Sequence, residues 1–554
     1  MPAKQITTAF GHSIAPEGPH TITFHVPGWD VIRGFRNGDP KVLSRLRSIY
    51  PRFGPFFEAR DFVMALHKKL GLSPTQGLLP FIDPECFTMA QDFAFSKYRK
   101  EEHRLAKEEL EFRVVDVGKV RVYVVVFPQA KAKGVMGIWQ NQGYGVSTRL
   151  SEELLKGEGE MKVLEWEGRG DQDVGLGKVP APTYLEEGEA HGELRRRIVG
   201  LLRRAAPGEV KVAEGDVFLA PTGMAAITKL YKAVGKVRPA PVVVLGSVFH
   251  NSWHLFKEGP GGLKHFGDVN EGMVGKLEEY LEVEKAEGRQ VSFVFLEFPS
   301  NPILESVDLK RLRGLADKYG FPIVVDDTIG SFCNVDVLPV ADIIVSSLTK
   351  SFSGYANVMC GSIILNPSSA HYPLVQPTFT STLHNIFYSR DATQLLHNSS
   401  DYLTRSSILN RNALALATFF HAHSRPFRPT SPITKVLYPP FTSTLSNYTA
   451  LMRPATEDFT PGYGCLLSID FATEKASRAF YEAVNFHKGP HLGAHETLVL
   501  HFNETVWGDD KEQADYQASI GALKEQLRFA VGLEEVGVLI DTVKAALQAA
   551  EAEE

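Results

Sequence analysis

Lys350 lies in SSLTKSFSGYANVMCGSIIL (346–365), between a hydroxyl-rich turn and a glycine-containing stretch and directly after the apolar run ADIIV. Asp326 ends another apolar run, FPIVV, and Thr222-Gly223-Met224 opens the helix-like AAITKLYKAVG. Taken singly, each has an ordinary structural explanation: a turn-forming carboxylate, a solvated lysine, a helix cap. Taken together they supply what pyridoxal phosphate requires. It needs an amine for a Schiff base, a carboxylate that keeps the pyridine nitrogen protonated, and backbone donors with hydroxyls for the phosphate. Lys350 supplies the amine, and Asp326 supplies the carboxylate that favours the cationic ring. Thr222, Gly223 and Met224 at a helix N-terminus, with Ser347 and Thr349 beside the lysine, supply the anion site.

These residues need a scaffold that gathers strand ends. From about residue 210 short β-branched runs alternate with amphipathic helices: PVVVLG (241–246), VSFVFLE (291–297), FPIVVDD (321–327), ADIIVSS (341–347) and CGSIIL (360–365). Between the second and third runs, DLKRLRGLADKYG places Leu309, Leu312, Leu315 and Ala316 on one face and ends at Gly320, which makes a βαβ unit. Strands that are apolar throughout are buried on both faces, so the fold class is α/β with a mostly parallel sheet covered by helices. Ligands in such sheets sit at the carboxyl ends of strands, where Asp326 and Lys350 fall. Upstream, DPKVLSRLRSIY and KYRKEEHRLAKEELEF read as helical and VRVYVVVF (120–127) as a strand. Composition shifts near residue 390, through LHNSSDYLTRSS and a proline-rich stretch. The predicted domains are 1–135, an amino-terminal extension of unknown role; 136–390, the cofactor-binding large domain with its arm; and 391–554, a smaller carboxy-terminal domain closing on the helix EEVGVLIDTVKAALQAAEAEE.

The 554 residues, 44% hydrophobic and 22% charged, fit a soluble globular protein of roughly two to four domains. A net charge of -6 gives no electrostatic case for nucleic acid, and the arginines of ELRRRIVGLLRR (193–204) read as the solvated face of a helix. Cys86, Cys333, Cys360 and Cys465 are scattered without metal-ligand or disulfide-scaffold spacing, so a reducing compartment and no metal are expected. The opening MPAKQITTAF lacks a signal-peptide core, and no apolar run reaches membrane-spanning length, so the expectation is a cytoplasmic protein without a membrane partner.

Several ordered motifs resemble those of the Cys/Met-metabolism family of pyridoxal-phosphate enzymes, and within it the fungal-type cystathionine γ-synthases. LEFPSNPILESVDL (296–309) is similar to the family's E-x-P-S-N-P segment, and VVDDTIGSF (324–332) to its V-D-N-T-F strand end. SSLTKSFSGYANVMCGSII resembles the lysine signature, and LRFAVGLEEVGVLI (527–540) resembles the carboxy-terminal L-R-x-S-V-G-L-E segment. PHTITFHVPGWDVIRGF and YPRF (50–53) are similar to the extension of the fungal branch.

The resemblance implies the fold-type-I (aspartate aminotransferase-like) architecture of pyridoxal-phosphate transferases, with Lys350 holding the cofactor and moving protons. It implies Asp326 at the pyridine nitrogen, with Thr328 in the same segment, and Gly223, Met224, Ser347 and Thr349 around the phosphate. Asn301 would lie near the phenolic oxygen and the substrate, and Arg528 would clamp the substrate α-carboxylate. Arg149, in GVSTRLSEELL, resembles the arginine that reaches a neighbouring subunit's phosphate, which implies a homo-oligomer, a dimer of dimers with composite sites. Two positions depart from the family: Phe249 stands where a tyrosine stacks on the cofactor, and His491 where a serine lies near lysine and substrate. A phenyl ring cannot move a proton, whereas histidine titrates near neutrality. The implied reaction is γ-substitution on an activated L-homoserine, the O-acetyl ester foremost, with cysteine as nucleophile giving cystathionine. The alternatives are a specialised relative adding a carbon or nitrogen nucleophile in secondary metabolism, a γ-lyase, and a non-catalytic paralogue that keeps the fold.

Overall fold

The computed structural model describes residues 7–167, 175–206, 208–269, 272–507 and 511–553, so the first six residues of the opening segment lie outside the described residues. It contains three sheets among those residues. The first comprises β1 (Gln76–Phe81), β2 (Glu111–Val117), β3 (Val120–Pro128) and β4 (Lys162–Leu164), antiparallel in the order β1-β3-β2-β4. The second comprises β5 (Val217–Ala220), β6 (Val242–Leu245), β7 (Leu263–Phe266), β8 (Val294–Glu297), β9 (Ile323–Asp326), β10 (Ile343–Ser346) and β11 (Gly361–Leu365), in the order β5-β11-β10-β9-β8-β6-β7. The third comprises β12 (Ile433–Leu437), β13 (Leu466–Phe471), β14 (His487–Lys488), β15 (Leu498–Leu500) and β16 (Gln526–Ala530), in the order β12-β13-β16-β15-β14.

The seven-stranded sheet is parallel except at β11, which runs antiparallel to both β10 and β5. Its continuous apolar runs are explained by burial on two faces. Val242 and Val244 enter one hydrophobic cluster while Val243 and Leu245 enter another, and Phe295 and Leu296 divide in the same way. The βαβ helix runs Leu309–Tyr319, capped by the Asp308 carboxylate accepting from Arg311 N–H and stopped by Gly320 at φ 72°. The arginine-rich segment is the helix Glu189–Arg203; Leu194, Ile198 and Leu202 are buried, Arg195 pairs with Glu187, and Arg197 donates to the Leu396 carbonyl at 2.6 Å. The carboxy-terminal helix spans Val536–Glu551.

The first 135 residues depart from expectation. KYRKEEHRLAKEELEF forms single turns at Glu101–His103 and Lys107–Glu109 before entering β2, not a helix. Leu105 and Leu110 are both buried, yet five residues apart they would diverge by about 140° on a helix, so no helical face could bury both. DPKVLSRLRSIY is helical only over Pro40–Leu43. The first sheet includes β4, beyond residue 135, so its strands straddle the boundary drawn from sequence.

Residues 14–50 do not pack with that sheet. Ile14, Ile22, Phe24, Ile32 and Leu46 form a cluster with Leu466, Leu498 and Ala530 of the third sheet and with Leu304 and Ile329 from the segments that follow β8 and β9 of the large one, which straps the segment over the seam between the two sheets. All four cysteines are buried and unbridged. No helix among the described residues is long and apolar enough to cross a membrane.

Candidate active site

At that seam lies a cavity of about 560 Å³. Glu297 and Asp326 reach it from the ends of β8 and β9, Ser347 and Lys350 from the turn after β10, and Arg528 from β16. Gly223, Met224, Phe249, Asn301 and Thr328 line it as well. Most of the residues singled out in the sequence thus converge on one space at the carboxyl edge of the parallel sheet.

Lys350 is held by its backbone. Its N–H donates to the Ser347 carbonyl at 3.1 Å, and its own carbonyl accepts from Gly354 N–H at 2.8 Å. Gly493, at φ +75°, lies against this turn; a β-carbon there would stand 2.3 Å from the Ser351 nitrogen, so only glycine allows the approach. Burial pushes the Lys350 amine below its ordinary range, while the neighbouring Tyr50 partly offsets that shift.

Asp326 and Glu297 are register partners across β8 and β9. One Asp326 oxygen accepts from the N–H and hydroxyl of Thr328 at 3.0 and 2.5 Å, and the Thr328 hydroxyl accepts from Ser347 N–H at 2.8 Å. Thr328 therefore orients the carboxylate. Burial pushes Asp326 up to about 6. Glu297 is pushed well above the carboxylate range by burial and then by Asp326, so of the two it keeps its proton; its Oε1 accepts from Phe249 N–H at 2.5 Å.

Thr222 caps the helix Gly223–Val237, its hydroxyl accepting from Ala225 N–H at 2.9 Å and donating to the Gly143 carbonyl at 3.0 Å. It thus stands behind the cavity wall, and the helix presents Gly223 and Met224, whose N–H groups lack intrahelical partners by position. A β-carbon at residue 223 would lie 2.8 Å from Ser347 Cβ, so glycine lets the helix end and the lysine turn close on one point.

Arg528 is 3% exposed and donates to Asn301 Oδ1 at 3.2 Å and to the Pro490 carbonyl at 3.1 Å. No carboxylate among the described residues forms an ion pair with it, and burial lowers it to about 10.

Besides Thr222, three further expected positions are not brought into the cavity. Thr349 exchanges hydrogen bonds with the backbone of Cys360, 3.1 Å to the carbonyl and 3.0 Å from the N–H, which clips the turn to β11 and leaves the hydroxyl no free direction toward a phosphate. Arg149, on the helix Thr148–Lys156, is buried in an ion pair with Asp391 at 3.1 Å and donates to the Asn357 carbonyl at 2.8 Å. Within its own chain its charge is paired with Asp391, outside this cavity. His491 stands behind the cavity wall formed by Pro490 and Leu492, its ring 6.0 Å from that of Tyr50, with both ring nitrogens unpartnered. Burial, Lys350 and Arg528 hold it well below its ordinary range, so it is neutral and does not titrate near pH 7.

Tyr50 and Arg52, seen in the sequence only within the extension, line the cavity too. The turn Pro51–Phe53 is fastened by Trp139 Nε1 donating to the Pro51 carbonyl at 2.6 Å and Gln140 Nε2 to the Phe53 carbonyl at 2.8 Å. The Arg52 guanidinium donates to Asn251 Oδ1 at 3.1 Å and to the Gln140 carbonyl, lies 5.3 Å from the Phe249 ring centre, and has no carboxylate partner among the described residues. The only signal for them was YPRF, which carries no chemistry by spacing alone.

This donor set fits pyridoxal phosphate: a buried amine, a strand-end carboxylate, a glycine-opened helix end, and an uncompensated guanidinium for the phosphate charge. Residues 209–548 match the family described as Cys/Met metabolism PLP-dependent enzyme. The chain belongs to that family. It is accordingly a PLP-dependent enzyme. Among its relatives in the Cys/Met metabolism family, a cystathionine gamma-synthase-like enzyme of Amanita muscaria is 32% identical, with 98% of each chain covered. The cystathionine gamma-synthase of Neurospora crassa is 28% identical, again with 98% of each covered. The solved cystathionine gamma synthase of Xanthomonas oryzae pv. oryzae superposes with a TM-score of 0.54 at 24% identity, covering 69% of this chain and 91% of that one, and shows the same fold.

Proposed function

We propose that this enzyme catalyses γ-substitution on an activated L-homoserine, with O-acetyl-L-homoserine as donor and cysteine as acceptor, giving cystathionine. One observation supports the reading above the rest: Arg528, a buried guanidinium without a carboxylate partner among the described residues, opens onto the same cavity as Lys350 and Asp326. A charge buried at such cost is explained by a ligand carboxylate that arrives to pair with it.

Pyridoxal phosphate, when bound, withdraws electron density from the substrate α-carbon, which makes the α- and then the β-hydrogens removable. Asp326 would stay ionised beside the pyridine nitrogen, its orientation set by Thr328. Gly223, Met224, Ser347 and Arg52 would hold the phosphate. Arg528, steadied by Asn301, would hold the substrate carboxylate in a two-point grip that fixes which hydrogen faces Lys350. Lys350, its amine drawn below its ordinary range by burial, would accept the α-hydrogen as a proton at Nζ and then serve again at the β-carbon as the γ-ester leaves. The acceptor adds at the γ-carbon, and Lys350 returns the protons in reverse order.

A second reading, a carbon or nitrogen acceptor in place of cysteine, is favoured by the outer wall. Phe35, Leu43, Ile49, Phe502 and Val506 make it apolar, and Arg36 on that side donates to the Glu504 carbonyl at 2.7 Å and to its carboxylate at 3.0 Å. Among the described residues the carboxylates that line the cavity are Glu297 and Asp326, at the strand ends, and the Glu504 carboxylate is engaged by Arg33 and Arg36, so the ammonium of a zwitterionic acceptor finds no uncommitted acid on the outer wall. Mass spectrometry of products from O-acetyl-L-homoserine supplied with cysteine and small carbonyl compounds in one pot separates the readings. Cystathionine supports the first, and a carbon- or nitrogen-linked adduct without cystathionine the second. Ammonia and a 2-oxo acid alone would mean a γ-lyase, and no consumption of the donor would overturn both readings.

A further inference from the structure

The reaction above asks Lys350 to remove two hydrogens in succession, so its amine must shed the first before it takes the second. Phe249, which lines the cavity, has no exchangeable proton, and His491 is neutral with its ring behind the wall. Tyr50 does have one. Its hydroxyl stands 3.4 Å from Lys350 Nζ, a residue 300 positions away, and Nζ lies 4.9 Å from its ring centre. No other side-chain hydrogen bond to that Nζ exists among the described residues. The tyrosine is 8% exposed and lines the cavity, and its position is fixed by the fastened turn that follows it and by edge contacts with Phe53 and His491.

We propose that Tyr50, carried by the amino-terminal segment of the same chain, is a catalytic proton carrier for Lys350 and supplies the exchangeable hydroxyl that Phe249 lacks. The charged groups that face it are Lys350 from the turn after β10 and Arg52 from its own segment, with Arg528 of β16 and the neutral His491 beyond. The two nearest cations outweigh burial and draw the phenol below its ordinary range. In its ionised form the phenol oxygen, 3.4 Å away, takes a proton from the Lys350 ammonium: an O–H bond forms as an N–H bond breaks, leaving a neutral phenol and a neutral amine, with no change in net charge. Reversal of the transfer gives Lys350 the proton it returns to the product.

This inference rests on the proposed role of Lys350, and deuterium exchange separates the two. L-norvaline, which has no γ-leaving group, is incubated in D2O with the cofactor-loaded wild-type enzyme and with Y50F, and exchange at its α-carbon is followed by NMR. Wild-type exchange establishes the Lys350 step. Y50F is then expected to bind norvaline with unchanged affinity but to lower kcat for the full reaction by about 100-fold, the usual worth of a positioned proton carrier, with KM nearly constant. F249Y in the Y50F background should restore part of that loss. A readout independent of turnover is the pH midpoint of the cofactor's visible absorbance. Removing the hydroxyl oxygen that stands 3.4 Å from Lys350 Nζ disfavours the protonated Lys350 nitrogen, so the midpoint falls in Y50F. An unmoved midpoint with kcat within about twofold of wild type would overturn the Tyr50 assignment while leaving the Lys350 step standing. Absence of exchange in the wild type would remove both.

Discussion

Arg528 is the residue whose replacement separates substrate recognition from stability most sharply. Its guanidinium is 3% exposed and lacks an acidic partner among the described residues, and burial lowers it from its ordinary range to about 10. At 1.36 kcal/mol per pKa unit, that shift corresponds to about 3 kcal/mol against the charged form in the fold. The hydrogen bonds to Asn301 and the Pro490 carbonyl return about 1 kcal/mol each. R528M removes both the cost and the return, so its melting temperature should equal or exceed that of the wild type, while its amino-acid binding collapses. R528K keeps a charge but cannot span two carboxylate oxygens. Loss of one charge-assisted hydrogen bond costs about 1.5–3 kcal/mol, or roughly 10- to 150-fold in amino-acid affinity. The assay is absorbance titration of the cofactor-loaded enzyme with L-norvaline and with n-butylamine, its carboxylate-free counterpart. R528K should weaken norvaline by that factor and leave butylamine unchanged. Equal weakening of both ligands, or a marked loss of melting temperature in R528M, would refute the assignment of Arg528 as a carboxylate clamp held at a cost to stability.

Asp326 is raised above its ordinary 3.8 to about 6. Its contribution to stability in cofactor-stripped protein is therefore present below about pH 4 and lost as pH rises through about 6; D326N should flatten that part of the melting profile and abolish retention of pyridoxal phosphate through gel filtration. R52A removes a buried guanidinium from the phosphate end and should weaken pyridoxal phosphate binding roughly 10- to 100-fold by fluorescence titration, with little change in norvaline affinity once the enzyme is saturated with cofactor. G493A places a β-carbon 2.3 Å from the Ser351 nitrogen at a positive φ, so the lysine turn must shift. A loss of about 2 kcal/mol or more by denaturant unfolding is expected, together with a displaced cofactor absorbance.

The large sheet was legible because its strands are buried on both faces and so carry unbroken β-branched runs. Its βαβ helix was legible because Asp308 and Gly320 mark its ends chemically. The inner site was legible for the same reason, since Asp326 and Lys350 follow strands whose carboxyl ends must meet. Direction was not: nothing in CGSIIL shows that β11 runs against its neighbours. Charge misled in KYRKEEHRLAKEELEF, where good helix formers outnumber the two leucines whose burial decides the conformation. Arg149 could not be placed because its partner, Asp391, lies more than two hundred residues away. Tyr50 and Arg52 were hidden for a like reason, reaching the cavity only when the amino-terminal segment crosses the seam between two sheets.

The most direct test of the account is to reduce the cofactor-loaded enzyme with borohydride, digest it, and locate the added pyridoxyl mass by tandem mass spectrometry. The mass should fall on the peptide containing Lys350 and vanish in K350A. Its appearance on another lysine, or on none, would contradict the placement of the reaction in the cavity between the two sheets.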